Sequence, residues 1–378
     1  MDYEDVIYVG IKYADTVDYA RLDPVKRQAM SAFEDTMGNT ERLGIRVMPV
    51  GGTAAVFDFL DYDFMLGFNV EGLGTKNMIA DRMYEDMARQ GYPRPERVYE
   101  FVGQDAAMMS AMDLVSMGAD PFGYGDFLTA GSDDWFRDER RNQALLAGFR
   151  AGAMEAGFAI PCGETPVLKG IVHPGTLVLE GASVGIIRPK SRFNYGQNIQ
   201  AGDTIYGLPS YGPNANGISK IRDIANALLP EGYFKKLPDG RTLGEAALVP
   251  TPVYVRPVID MFDKVDVHFV SPITGHGWEK VGRARGNFVY VVDNLPEPPA
   301  VFNFLIREGE RHGFDVSDRE NYYVWNMGTS AAIIAPEESE DPMREIATEH
   351  GRDLQILGHV EEGERAVKLT QNNVTYTP

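Results

Sequence analysis

Signals for helices and strands alternate along almost the whole chain, and this alternation predicts a mixed α/β fold. After the stretch FNVEGLGTK (68–76), Ile79, Met83 and Met87 recur every four residues, as in an amphipathic helix, and Gly91 marks its end. Two further helices are predicted at 103–117 and 138–156. The stretch 176–189 is typical of one long strand or of two strands with a kink between them.

The second half of the chain continues this alternation after a polar, turn-rich segment, RPKSRFNYGQ (188–197). A chain of 378 residues is long enough for two domains, so we predict domains at 1–190 and 191–378. In the second, strands are predicted within 201–210 and at 265–273, 286–292, 330–335 and 354–360, and helices within 216–230 and at 300–312.

Composition and charge limit the possible partners. The net charge of −19 argues against a duplex nucleic-acid surface, where Lys and Arg must neutralise phosphates. It leaves small phosphates open, because local lysines, backbone N–H groups and Mg2+ can bind them. The chain has no apolar run of about 18 residues, no signal-peptide pattern in MDYEDVIYVG, and one cysteine, Cys162. We therefore expect a soluble cytoplasmic protein without nucleic-acid or membrane partners.

The first candidate motif is EGLGTK (71–76), at a predicted strand-to-helix turn. Glycines there let the backbone approach an anion, Lys76 would add a positive charge, and Glu71 would reach a metal bound to the same phosphates. The other interpretation is a tight turn with a solvated lysine. The motif alone favours that second interpretation, because short glycine motifs often match by chance.

Two aspartates on the helix predicted at 103–117 form the second candidate. Asp105 and Asp113 are eight residues apart, roughly 12 Å along a helix and about 80° around it, so they are poorly placed to chelate one ion. If both are functional, they serve different ions or different ends of a polyphosphate. Otherwise, Asp105 lies at the start of a helix and Asp113 is exposed.

Three loops complete the set of candidates. Glu164 and Thr165 follow an apolar strand, where open α/β sheets bind ligands, and the neighbouring Cys162 is predicted to be a packed side chain. The Asn- and Gly-rich segment 211–219 is predicted to form a conformationally special turn. In the loop 271–284, His276 would bind phosphate or titrate near neutral pH, although a single loop histidine is more often exposed.

The order of these motifs resembles that of the aminoimidazole ribonucleotide (AIR) synthetase family, also called phosphoribosylformylglycinamidine cyclo-ligase. The likeness extends from about residue 13 to residue 369 through EGLGTK, GQDAAMMSAMDLVSMGADP, CGETPVLKG, PNANGIS, LGEAALVPTPVYVRPVI and SPITGHGWEKVGRA. It implies a two-domain α/β fold whose N-terminal sheet contributes to a barrel at a homodimer interface. It also implies ATP and Mg2+ as cofactors, and ring closure of formylglycinamidine ribonucleotide to 5-aminoimidazole ribonucleotide through an iminophosphate.

The resemblance also implies roles for individual residues. The residues implied to bind ATP are Gly72, Gly74, Thr75, Lys76, Asp105, Glu164 and Thr165, and those implied to hold the metal are Glu71, Asp105, Asp113 and Glu164. The residues implied to bind the ribonucleotide are Asn216, Gly217, Ser219, Thr274, Gly275 and Gly277. Lys76, Asp113 and His276 are the predicted catalytic residues.

The chain departs from the family pattern in its ligand loops. Glu71 replaces an aspartate, Met112 an asparagine, Cys162 a glycine and Pro272 a histidine, and His276 replaces the central glycine of its loop. Two alternatives therefore stay open: a member of the superfamily that phosphorylates another small molecule, and a non-catalytic nucleotide-binding dimer. Selenophosphate synthetase fits less well, because its family carries a reactive cysteine or selenocysteine near the N-terminus.

Overall fold

The computed structural model describes residues 12–48, 54–284 and 286–377. In these ranges the helices are α1 (Tyr19–Phe33), α2 (Lys76–Arg89), α3 (Val98–Ser116), α4 (Glu139–Ala156), α5 (Ile218–Ala227), α6 (Leu243–Ala247), α7 (Val255–Lys264), α8 (Ala300–Arg311), α9 (Asp318–Val324) and α10 (Glu340–Glu349). The strands are β1 (Ile45–Val47), β2 (Ala55–Phe59), β3 (Met65–Gly72), β4 (Asp120–Ala130), β5 (Ala159–Glu164), β6 (Leu177–Ile187), β7 (Thr204–Pro209), β8 (Phe269–Pro272), β9 (Phe288–Val292), β10 (Thr329–Ala335), β11 (Gln355–Glu362), β12 (Ala366–Leu369) and β13 (Val374–Tyr376).

The strands form two mixed sheets, which confirms the predicted mixed α/β class. The first has the order β1-β2-β3-β6-β4-β5, in which β4 and β5 are parallel and the other neighbours antiparallel. The second has the order β13-β12-β9-β11-β7-β10-β8, in which β12 and β9 are parallel and the other neighbours antiparallel. None of the helices described is long and apolar enough to cross a membrane.

Helix α3 lies at the centre of the molecule. It is apolar on all sides, and most of its 19 residues are buried against β3, β6, α4 and β8, so it contacts both sheets. Its contact with the first sheet is close, since a Cβ atom on Gly67 of β3 would lie 2.9 Å from Leu114 Cδ2. This position lets the two aspartates of α3 face different parts of the structure.

Strand β3 has two different faces. Side chains alternate across a strand, and Met65, Gly67 and Asn69 are buried towards α3, whereas Phe68 and Val70 are exposed on the other face. Glu71 continues the series of Asn69, so its carboxylate lies on the α3 side of the sheet.

Most predicted elements are confirmed where local signals were strong. Helix α4 begins at the predicted position because the Asp138 side chain accepts a hydrogen bond from Arg141 N, and it ends at Gly157, whose φ is 87°. The segment predicted at 176–189 is one strand, β6. The helix predicted at 103–117 begins earlier, at Val98, and the strand predicted at 265–273 is shorter than expected, Phe269–Pro272.

A buried histidine near the edge of the second sheet predicts how stability depends on pH. The Nδ1 and Nε2 atoms of His268 lie 2.7 Å from Asp203 Oδ2 and 3.3 Å from Asp266 Oδ2. Burial lowers the pKa of His268, but hydrogen bonds to the two carboxylates and their charges outweigh it, and the net pKa is raised above 6.5. Its contribution to stability is therefore complete below about pH 6.5 and is lost as the pH rises through the folded-state pKa.

We expect a His268→Gln variant to lose this part of the pH dependence. The measurement is the free energy of unfolding by urea across a pH series, compared between the variant and the parent protein. An unchanged slope above pH 6.5 would show that the Asp203 interaction contributes nothing.

Candidate active site

A cleft of about 520 Å³ lies where α1, β3, α3 and the loop after β8 meet. Its volume is in the range of small-molecule sites. Seven of the predicted site residues line it, and they come from four separate parts of the chain: Glu71, Gly72, Asp113, Asn216, Thr274, Gly275 and His276.

Two carboxylates lie side by side in this cleft. Asp113 is buried on α3 and accepts a 3.3 Å hydrogen bond from Asn69 Nδ2, so the alternative interpretation, in which it is an exposed residue, is wrong. Burial and the neighbouring Asp113 charge together raise the pKa of Glu71 to about 7. Close, partly desolvated carboxylates of this kind are stabilised by a cation.

A buried cation lies beside this pair. Lys280, in the loop after β8, is buried, and its Nζ atom donates a hydrogen bond to Thr274 Oγ1. Burial lowers the pKa of Lys280, and attraction to Asp113 and Glu71 opposes that shift. The Lys280 side chain is therefore held in the cleft by its hydrogen bond to Thr274, and it faces a negative electrostatic environment from the two carboxylates.

His276 is fixed on the wall of the cleft. It is buried, so the expectation of an exposed loop histidine is wrong. Its ring stacks on Tyr19 with centroids 3.9 Å apart, and its Nε2 atom lies 3.1 Å from Asp23 Oδ2. Burial lowers the pKa of His276 despite the opposing effect of Asp23, so the imidazole is neutral at neutral pH.

The donor set of the cleft fits Mg2+ with a phosphate ligand. Among the described residues, no group of three or more His, Cys, Asp or Glu side chains is placed to hold a metal ion alone. Glu71 and Asp113 supply two carboxylates, however, and Mg2+ is commonly bound by one or two carboxylates together with substrate phosphates. The Nδ2 atom of Asn216 is also buried without a hydrogen-bond partner among the described residues. This N–H group is therefore available to donate a hydrogen bond to a bound ligand.

Lys76 and Asp105 do not line this cleft. Both are fully buried, and Lys76 Nζ is 2.5 Å from Asp105 Oδ2. Lys76 also donates to Val249 O at 2.9 Å, and Asp105 Oδ1 accepts from Thr251 N at 2.6 Å. The interpretation of Asp105 as a helix-start residue is wrong, because α3 begins at Val98. In this structure the pair ties α2 and α3 to the segment 249–251 rather than facing the cleft.

Glu164 and its neighbours lie on the opposite face of the first sheet. Glu164 and Thr165 are exposed, and Glu164 lines a separate depression of about 400 Å³ with Asp126 and Glu180. Cys162 is exposed at the same place, so the prediction that it is packed is wrong. A single chain therefore does not bring Glu164 together with Glu71 and Asp113.

The remaining predicted residues have mainly backbone roles. Gly217 and Gly277 have φ values of 67° and 55°, and a Cβ atom on Gly277 would lie 2.2 Å from Tyr322 O. Asn214 is also left-handed, with a φ of 52°, which confirms the special turn predicted at 211–219. Ser219 lines a different cavity, beside Arg222, and Gly74 and Thr75 do not line the cleft.

The structure adds cleft residues that the sequence analysis did not identify. They are Tyr19, Asp23, Lys26 and Arg27 of α1, together with Lys280 and Arg283. Two spacings carried the signal: Tyr19, Asp23 and Arg27 recur every four residues on one helical face, and Lys280 and Arg283 are three residues apart after the TGHG loop.

The two-sheet fold and this inter-sheet cleft agree with a family assignment. The model of the AIR synthase related protein, N-terminal domain, matches residues 51–187, and that of the C-terminal domain matches residues 200–369. The chain therefore belongs to the AIR synthase related family.

The similar curated proteins include phosphoribosylformylglycinamidine cyclo-ligases. The protein from Methanocaldococcus jannaschii is 31% identical over 309 residues, which are 81% of this chain and 81% of the relative. The protein from Carboxydothermus hydrogenoformans is 29% identical over 376 residues, which are 93% of this chain and 96% of the relative.

Solved structures show the same fold at lower identity. A chain of a HypE–HypF complex has a TM-score of 0.58 and 14% identity, with 94% of this chain and 98% of that chain covered. Thiamine-monophosphate kinase from Stenotrophomonas maltophilia has a TM-score of 0.56 and 19% identity, with 95% and 98% covered. HypE in complex with ATP has a TM-score of 0.51 and 19% identity, with 73% and 78% covered.

Proposed function

We propose that this protein catalyses the ATP-dependent closure of formylglycinamidine ribonucleotide to 5-aminoimidazole ribonucleotide, with release of ADP and phosphate. The main support is the similarity to cyclo-ligases along most of the chain. The cleft agrees with this chemistry, because phosphoryl transfer depends on positioning and charge stabilisation more than on a protein nucleophile.

In the proposed reaction, the formamide oxygen attacks the γ-phosphorus of ATP and ADP leaves. The substrate's own nitrogen then attacks the activated carbon, and the C–O bond breaks as phosphate departs and a proton is lost. Glu71 and Asp113 would hold Mg2+, which supplies neutralisation of phosphate charge when bound. Neutral His276 is our candidate for accepting the proton, and Asn216 Nδ2 would donate to the bound ligand.

The test is the formation of ADP and 5-aminoimidazole ribonucleotide by the purified chain from ATP, Mg2+ and formylglycinamidine ribonucleotide. We expect the two products in equal amounts, and no ADP when the ribonucleotide is omitted. Nucleotide binding without ADP formation would instead favour a non-catalytic nucleotide-binding protein.

A second candidate function is the phosphorylation of a different small molecule. His276 favours this candidate, because the AIR synthetase family has a glycine at this position of the ligand loop. The fold is shared with thiamine-monophosphate kinase, including AaThiL complexed with AMPPCP and TMP, at 16% identity and a TM-score of 0.55. Formation of ADP with thiamine monophosphate but not with formylglycinamidine ribonucleotide would select this candidate.

We further propose that the protein is a homodimer formed through the exposed face of the first sheet. Phe68, Val70, Phe122 and Phe127 are 41%, 63%, 48% and 42% exposed on this sheet, and exposed apolar side chains grouped in this way are typical of protein–protein interfaces. Glu164, on the same face, would then lie at the subunit interface.

A Val70→Glu variant is expected to be monomeric, because each interface would have to bury two added carboxylates. The measurement is mass by sedimentation equilibrium, and Met154→Glu is the matched control, since Met154 is 69% exposed on the distant helix α4. A parent protein that is itself monomeric, or a dimeric Val70→Glu variant, would contradict this interface.

A further inference from the structure

The charge around the cleft differs from that of the protein as a whole. The chain has a net charge of −19, yet Lys26, Arg27, Lys280 and Arg283 all line this one cleft. Neither Arg27 nor Arg283 forms a salt bridge with any carboxylate in the described parts of the chain. An acidic protein that collects cations around a cavity of this size favours an anionic ligand there.

The opposite charges belong to different elements. The paired carboxylates Glu71 and Asp113 come from β3 and α3, whereas Lys26 and Arg27 are on α1. Lys26 forms only a long contact with Asp23, at 3.9 Å, and its side chain is 68% exposed, so it is free to reorient towards a ligand. The α1 wall therefore offers cations that the metal-binding pair does not neutralise.

Helix α1 is held over the cleft by few contacts. None of its residues is buried. Tyr19 stacks on His276 and makes an edge contact with Tyr323 at 6.2 Å, and Asp23 contacts His276. The loop backbone also lies against the tyrosine, because a Cβ atom on Gly275 would be 2.6 Å from Tyr19 Oη. These contacts form a clasp, defined here as Tyr19, Asp23 and His276.

We propose that α1 is the binding wall for a phosphate monoester on the second substrate, with Lys26 and Arg27 contacting the phosphate and Arg283 facing it from the loop after β8. Guanidinium groups match phosphate oxygens in pairs, and a lysine adds a mobile point charge. The clasp positions α1 for this contact. The inference rests on the proposed function only in taking the second substrate to be a phosphorylated small molecule.

Ribose 5-phosphate is the probe, because it carries the phosphate monoester without the reacting amidine. Its dissociation constant is measured by calorimetry for the parent protein and for the double variant Lys26→Gln with Arg27→Gln. We expect roughly tenfold or greater weakening in the double variant, since two charge-assisted contacts are lost. The matched control is Arg21→Gln, because Arg21 is on the same helix, is 88% exposed and does not line the cleft.

The affinity for a non-hydrolysable ATP analogue with Mg2+ is measured on the same proteins and should change by less than about twofold. If the double variant lost affinity for the ATP analogue but kept its affinity for ribose 5-phosphate, the proposal would be overturned, because Lys26 and Arg27 would then contact the ATP phosphates. Equal ribose 5-phosphate affinity in the double variant, or no binding by the parent protein, would also overturn it.

The same variants separate this inference from the proposed reaction. If the parent protein does not convert formylglycinamidine ribonucleotide but binds ribose 5-phosphate through Lys26 and Arg27, the proposed reaction is contradicted and the phosphate-binding role of α1 is supported. If conversion occurs and the double variant keeps the parent KM for the ribonucleotide, the phosphate-binding role of α1 is contradicted and the proposed reaction is supported.

The clasp has its own test. Tyr19→Ala is expected to weaken ribose 5-phosphate binding and to speed tryptic cleavage in α1, whereas Tyr19→Phe, which keeps the stacked ring, should restore both to parent values. Cleavage in Tyr19→Ala at the parent rate would show that the stack does not position α1.

Discussion

Replacing Asp113 with Asn is expected to reduce turnover by a hundredfold or more while leaving the protein folded. The change removes one of the two carboxylates that would hold Mg2+, and losing such charge stabilisation costs roughly 3 kcal/mol of the transition-state energy. The amide is nearly the same size as the carboxylate, and it relieves the repulsion that raises the pKa of Glu71. Folding should therefore not suffer in parallel with activity.

The measurement combines steady-state rates with the Mg2+ dependence of ATP-analogue binding. Asp133→Asn is a suitable control, because that carboxylate is 74% exposed and does not line the cleft. Unchanged analogue affinity and unchanged turnover in Asp113→Asn would remove this residue from the site.

Replacing Lys76 with Met is expected to lower the free energy of unfolding by about 3–5 kcal/mol. The change leaves the fully buried Asp105 carboxylate without its 2.5 Å ion-pair partner. Adding Asp105→Asn should recover part of this loss, because the amide oxygen still accepts from Thr251 N but no unpaired charge remains. A residue that only bound phosphate would give no such pattern.

Urea unfolding of the single and double variants measures this effect. Lys235→Met is the matched control, since Lys235 is 38% exposed and its pair with Glu231 on the surface is worth at most about 1 kcal/mol. If the Lys76→Met protein had the stability of the parent protein but no nucleotide affinity, the structural role would be contradicted, and Lys76 would have the phosphate-binding role that the EGLGTK motif suggests.

Local signals predicted those elements whose ends and periodicity are set by neighbouring residues. Helix α4 has a capping aspartate at one end and a left-handed glycine at the other, and β6 alternates buried and more exposed residues along its length. Helix α1 escaped prediction because it contains Pro24 and contributes no buried residue, so it has no apolar stripe facing a core.

The site was predictable only in part, because the decisive contacts are between residues distant in sequence. The family resemblance implied a metal site of Glu71, Asp105, Asp113 and Glu164, and the structure brings together the side chains of Glu71 and Asp113 but not those of the other two. The sequence could not show that Lys76 pairs with Asp105, because the partner of a buried lysine depends on how helices pack and on the carbonyl of Val249. Nor could it show that Glu164 and Glu71 lie on opposite sides of the sheet, towards different cavities.

The most direct test of the proposed reaction follows one oxygen atom. Formylglycinamidine ribonucleotide labelled with ¹⁸O at the formamide oxygen is incubated with ATP, Mg2+ and the purified chain, and the released phosphate is analysed by mass spectrometry. Phosphorylation of that oxygen predicts one ¹⁸O atom in the phosphate for each 5-aminoimidazole ribonucleotide formed. Ring closure with unlabelled phosphate, or no ring closure at all, would contradict the account.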